Sequence, residues 1–418
     1  DVMVGTSGSE KATITGDNVT FLNLGSATPC SNIIIDNLNV TSTPDGDTGY
    51  FIEFGTTFTT GLTVTNTNAS GMLGGWTVQG GESVYCDLCG MDLVKLTNMS
   101  NTSGGGATAL FGFNKRLIVT DSQLGPFEGA AFYEHIIRLQ PVQKGALTDL
   151  YVTGALGGKE EISIRARESG AESKQDSYDF YIADVHTHST NDAYSIWIAP
   201  SNAGYGEDIY DAVVERVFMT RASSTGQHCF TIQASHIDIR NTICTSPNGA
   251  ESWVVFKGDD LSTRGGTHPQ TDVRFINNTF YTGKSDSGNG FILTWFLGST
   301  TPEYAVLTNL LAYTPNITGT LSYPAGTPPT GYALTTSSTN TQIKTVNPFS
   351  ATIDVADAST FVPITGTYTS GPPSSVINDG TATYPATGYF GDFYGCHSIA
   401  GNVRLGALVN RSDALCGQ

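Results

Sequence analysis

The feature that most constrains this chain is a short strand word that returns along it: apolar residues at alternate positions, closed by a turn of Gly, Asn or Asp. It is complete in Ala12-Thr-Ile-Thr-Gly-Asp-Asn-Val-Thr-Phe-Leu-Asn-Leu24 and returns at 31–41, 61–68, 92–98, 115–122, 235–243 and 271–280. Second strands intervene at 50–54, 161–165, 193–198, 252–256 and 290–295. Alternation puts the apolar side chains on one face of a strand, whereas a helix would need them every third or fourth residue. Short strands recurring at roughly 20 to 35 residues are the mark of a solenoid, in which no coil hides its apolar edge alone and neighbours stack in register.

The expected fold is therefore all-β, a single-stranded right-handed parallel β-helix. A β-sandwich is the alternative, since alternation does not separate parallel from antiparallel pairing, but Asn-Gly hairpin signals between matched strands are scarce. The solenoid is expected over 1–320. Residues 321–395, rich in Pro, Ser and Thr with only Ala351-Thr-Ile-Asp-Val355 strand-like, are expected to pack on the solenoid or cap it. The tail, 396–418, recovers apolar content and is expected to dock back.

Composition agrees. Charged residues make up 14% of the 418, while Gly alone counts 48, which disfavours helices with Glu, Lys and Arg faces. The net charge of −18 argues against a nucleic-acid partner, because phosphate binding needs a basic footprint. No run of 18 apolar residues exists, so no membrane partner is expected, and the chain is read as a monomer. Its opening at Asp1 lacks a signal-peptide pattern, as in a cytosolic protein or a mature form without its leader.

Cysteines stand at 30, 86, 89, 229, 244, 396 and 416. The spacing suits Cys229 with Cys244, Cys396 with Cys416, and one member of Cys86-x-x-Cys89 with Cys30, a disulfide set that fits secretion. Eight Asn-x-Ser/Thr sites, at Asn18, Asn39, Asn68, Asn98, Asn101, Asn277, Asn316 and Asn410, add little, since about five would arise by chance in a chain so rich in these residues.

Functional side chains converge between 133 and 188. Arg138, Lys144, Lys159, Arg165, Arg167 and Lys174 are six of only 20 basic residues. Burying Ile162, Ile164 and Ala166 turns Ser163, Arg165 and Arg167 outward, and burying Ile137 and Leu139 does the same for Arg138 and Gln140. His135 shares the buried parity and is expected in the core or at its edge. Coils stack about 4.8 Å apart, so Arg138, Gln140, Arg165 and Arg167, with Tyr133, His186 and His188, are expected to line one substrate groove. Arg offers a planar fork to carboxylates, and a Lys amine or an imidazole can take the proton at C5 of a uronic acid once its carboxylate is neutralised.

This block resembles the β-helical polysaccharide lyases of the alginate lyase and chondroitinase B type, solenoids of the pectate-lyase-like kind. In that family a base Lys follows one strand and an Arg lies in a short apolar-Arg motif of the next coil. By that likeness Lys144, after the strand ending at Gln140, is the base, and Arg165, in Ile162-Ser-Ile-Arg-Ala-Arg167, is the acid or its electrostatic partner. The implied activity is β-elimination on an anionic, uronate-containing polysaccharide. The chain departs from the family where carboxylates commonly hold calcium. Here that strand reads Ile137, Arg138, Leu139, Gln140, with Glu134 the only acid nearby, so Arg138 and Gln140 are expected to replace the metal and no cofactor is expected.

Two other readings stay open. An inverting glycoside hydrolase would use separated carboxylates, for which Asp259, Asp260, Asp184 and Asp192 are candidates, although the companion motifs of polygalacturonase-like enzymes are absent. A non-catalytic adhesion solenoid would stack sugars on Trp76, Trp197, Trp253, Trp295 or Tyr133.

Overall fold

A computed structural model describes residues 2–5, 10–17, 20–24, 29–43, 49–54, 59–72, 74–78, 86–100, 108–128, 135–155, 159–166, 176–189, 194–199, 208–221, 228–246, 252–257, 273–283, 290–296, 305–308, 310–316, 319–320, 323–324, 338–339, 342–349, 351–361, 397–398 and 414–415. The described residues fall into two compact units, those up to Tyr210 and those from Asp211 onward.

The first unit is a stack of parallel coils with three strand faces. On one face Ile35, Val64, Met91, Val119, Leu147 and Ile182 lie one above the next, stepping by 29, 27, 28, 28 and 35 residues. On a second, Ile52, Trp76, Leu110, Ile137, Ile162 and Ile196 do the same. On a third come Val40, Ala69, Leu96, Leu124, Val152 and Thr187. Every member of the three columns is buried. The period-2 pattern thus becomes a continuous core, because each inward residue covers its counterpart on the next coil. The parallel β-helix expected from sequence is the fold observed.

Sharp bends separate the faces. After each strand of the first face the chain turns at one residue of positive φ: Asn37, Asn66, Leu93, Asp121, Asp149 and Asp184, with φ between 46° and 60°. Asn and Asp tolerate this left-handed region because their short side chains bond locally. Neighbouring coils are also tied here, as Thr65 Oγ1 and Asn66 Nδ2 both donate to Asp36 Oδ1, at 2.6 and 3.3 Å.

The second unit repeats the principle. Ile237 lies against Val273 and Ile239 against Phe275, while Cys244, Phe280 and Ala312 form another inward column. Phe349, Ala358 and Phe361 pack with Phe218, Ile243 and Leu311 of its strands, flanked by Tyr281 and Tyr313. The strand expected at Ala351–Val355 is not formed. The Asp354 and Asp357 carboxylates accept from the amides two residues on, those of Ala356 and Ser359, and such local bonds replace a sheet ladder. A single 3-10 turn, Ala358–Phe361, follows. Among the described residues no helix is long and apolar enough to cross a membrane.

Among the described residues two disulfides are present. Cys229 and Cys244 pair as their spacing suggested, but Cys86 bonds to Cys89 and not to Cys30. Register explains the correction: Cys30 and Cys86 both align with Thr59 from opposite sides, so a whole coil separates them. Cys396 and Cys416 lie outside the described residues. Among the glycosylation sequons, Asn277 is buried at a bend.

Candidate anion site on the second strand face

The strand Ile137–Thr153 turns a corner, so its early residues belong to the second face and its later ones to the first and third. On the second face Arg138, Ser163 and Trp197 form an outward column on successive coils. Ile162, Ile164 and Ala166 are buried as expected, which sets this parity. Two outward residues are nonetheless covered. Gln140 is 8% exposed because its Oε1 accepts from Arg138 Nε and Nη2, at 3.2 and 2.9 Å. Ser163 is fully buried, with its Oγ accepting from Arg165 Nε at 2.8 Å.

Arg165 is the most constrained cation here. Besides Ser163, its Nη2 lies 3.4 Å from Glu160 Oε2 and 3.4 Å from His135 Nε2. Its guanidinium carbon sits 5.6 Å from the centre of the Trp197 ring, within cation–π range. That ring is itself anchored by Nε1 donating to the Ala199 carbonyl at 3.0 Å. The side chain is 12% exposed, and among the described residues Nη1 has no partner.

Behind Arg165 lies a buried pair, with His135 Nδ1 2.5 Å from Glu160 Oε2. A guanidinium only donates, so the imidazole nitrogen facing it must accept and the proton sits on Nδ1, pointing at the carboxylate. The Glu160 amide N–H also points at Nδ1, at 3.4 Å, and the 2.5 Å carboxylate contact outweighs it in placing the proton there. Burial keeps the imidazole neutral and lowers its pKa to about 4, against the opposing pull of Glu160. Burial alone would raise the Glu160 carboxyl, but the His135 hydrogen bond and the Arg165 charge act against it, and it is held below its ordinary value.

The remaining expected residues lie elsewhere. Lys144 occupies the corner itself at φ 62°, its side chain 61% exposed and its Nζ 3.8 Å from Asp179 on the next coil. His186 and His188 are on the strand Ser177–Ser189, against Tyr151 and Thr153 of the coil before. Tyr151 meets His186 edge to face at 5.2 Å, and the two imidazole centres are 6.4 Å apart. Burial lowers the His186 pKa to about 4, with His188 adding to the shift, and lowers that of His188 as well. The structure therefore gathers Arg138, Gln140 and Arg165 on one face, leaves Lys144 at its edge, and carries the two histidines on the third face.

Tyr133, Arg167, Asp192, Asp259 and Asp260 lie outside the described residues. Asp184 is exposed at a bend, Trp76 is fully buried in the core, and the side chains of Trp253 and Trp295 are outside the described set. Among the described residues no three His, Cys, Asp or Glu side chains converge as a metal-holding group. Sequence reasoning did not single out Glu160, Ser163 or Tyr151 as site residues. The available signal was register: Ser163 stands above Arg138, and Tyr151 beneath His186.

No protein-family model and no curated protein matches the sequence. Solved structures do. The catalytic domain of a GH87 alpha-1,3-glucanase in complex with nigerose is similar over 79% of this chain at 13% identity and TM-score 0.45, and this chain spans 64% of that domain. An alginate lyase from Paenibacillus sp. is similar over 80% of this chain and 90% of its own, at 11% identity and TM-score 0.37. A mannuronan C-5 epimerase A-module of Azotobacter vinelandii is similar over 80% of this chain and 100% of its own, at 11% identity and TM-score 0.41.

Proposed function

We propose that the protein is a secreted polysaccharide lyase that cleaves a uronate-containing polysaccharide by β-elimination, with Arg165 neutralising the uronate carboxylate. The observation that carries this reading is the Arg165 guanidinium, fixed by Ser163, Glu160 and His135 over Trp197 with its Nη1 edge uncommitted. The remaining Nη1 N–H groups beside an aromatic ring suit an acidic sugar, whose carboxylate accepts from Nη1 and whose C–H groups lie on the ring. Arg138, held by Gln140 one coil away, serves the next anionic unit.

In the reaction the base removes the C5 proton, the electron pair forms the C4–C5 double bond, and the C4–O bond breaks. The leaving oxygen takes a proton and becomes the new chain end. Arg165 acts where negative charge grows, on the carboxylate conjugated to C5. Lys144 is assigned as the base. It stands at the corner beside the face that carries Arg165, its side chain 61% exposed. Two disulfides support an oxidising compartment, hence secretion.

Incubation with alginate, pectate, glucuronan and glycosaminoglycans, followed by the ultraviolet absorbance of an unsaturated uronate, tests the reading. Native protein is expected to produce the signal on one of them, and Arg165→Ala and Lys144→Ala each to reduce it at least about 100-fold. New reducing ends without unsaturation would replace elimination with hydrolysis. Binding without either signal would leave a sugar-binding solenoid.

A further inference from the structure

We infer that His135 and Glu160 are positioning residues that preorganise Arg165 as an acid-sensitive receptor for a sugar carboxylate; this rests on the Arg165 reading above. Glu160 fixes the proton of His135 on Nδ1, which leaves Nε2 as an acceptor for Arg165. Together with Ser163 on Nε and Glu160 on Nη2, this commits two of the three guanidinium nitrogens and leaves Nη1 for a ligand. An unrestrained Arg side chain would have to be ordered when the sugar arrives, whereas here the buried pair orders it beforehand.

The relay works in one protonation state. A second proton on His135 would place an N–H against the guanidinium, so Arg165 would lose its support and meet a like charge. The charged groups that face His135 are Glu160, Arg165 and Arg138. Its imidazole stays neutral until the pH falls to about 4, so the receptor is intact at neutral pH and fails only in strong acid.

The test uses the full chain and two probes of equal length, an oligouronate and an uncharged oligosaccharide, measured by calorimetry at pH 7. Arg165→Ala is expected to abolish oligouronate binding, and Glu160→Gln and His135→Leu to weaken it about five- to tenfold, with the uncharged probe unaffected. Nitrogen NMR of the native protein is expected to show His135 protonated on Nδ1, and the native protein to release a sulfated oligosaccharide, whose charge persists in acid, as the pH drops through about 4. Circular dichroism identifies a variant that has not folded. Should His135→Leu fail in this way, Glu160→Gln and the tautomer still decide. If Arg165→Ala abolishes binding while Glu160→Gln binds like the native protein, or if His135 carries its proton on Nε2, the positioning role is overturned and the Arg165 reading survives. If Arg165→Ala binds the oligouronate like the native protein, the Arg165 reading itself fails.

Discussion

Glu160 and Glu161 are sequence neighbours with opposite fates. Glu160 is held ionised by His135 and Arg165, whereas Glu161 is wholly buried and its pKa is pushed well up by burial, only partly offset by the Ala155 amide at 3.2 Å. An unfolded Glu ionises near 4.5 while the buried Glu161 keeps its proton, so the unfolded state is favoured progressively as pH rises above that value, by about 1.4 kcal/mol per unit. Glu161→Gln removes this slope. The variant's thermal midpoint is expected to gain on the native protein as pH rises above about 4.5, and a constant difference would refute the buried neutral carboxyl. His135 and His186 act in the reverse sense. Their folded pKa values lie near 4, so the stability of their neutral forms is complete above about 6.5 and declines as pH falls towards 4. None of this was legible from residue type, since adjacent glutamates look alike until packing decides which one meets a cation.

At the scale of the element, the bend column exposes one local conflict. Five of its six positions in the first unit are Asn or Asp, but Leu93 stands in the left-handed region at φ 55° and is 51% exposed. A branched apolar side chain there is disfavoured and gains little burial in return. Leu93→Asn is expected to stabilise the protein by about 0.5–1 kcal/mol in urea unfolding, and a loss of stability would overturn this reading of the bend. In the second unit a ladder of charges runs across coils: Glu215 accepts from Arg240 at 2.6 Å, and Asp238 lies 3.2 Å from Arg274. The strand words at 235–243 and 271–280 were plain in the sequence. This ion ladder was not, because its partners are 25 or more residues apart and meet only when coils align.

For the whole molecule, long-range order comes from stacking, and the disulfides add cross-links of very different span. Cys229–Cys244 closes 15 residues and Cys86–Cys89 only three. Chain entropy then assigns about 3 kcal/mol to the first and roughly half that to the second. Replacing Cys229 and Cys244 by Ser is expected to lower the denaturation midpoint more than replacing Cys86 and Cys89; equal effects would count against the loop-entropy account. The net charge of −18 makes Arg138 and Arg165 a local exception on an acidic protein, so the proposed function requires short-range recognition by fixed geometry and not by a general field.

What the sequence determined by itself was the parallel β-helix and the parity of its strands, because alternation and a recurring turn are local and every coil had to obey them. It also marked Arg138 and Arg165 as outward residues of neighbouring coils. Only the tertiary structure decided which of the outward residues share a face, since coils of unequal length set the register and a one-residue corner puts Lys144 at the edge of the face that carries Arg165. It alone brought His135 and Glu160 behind the guanidinium, because burial and proton placement depend on what the neighbouring coil supplies.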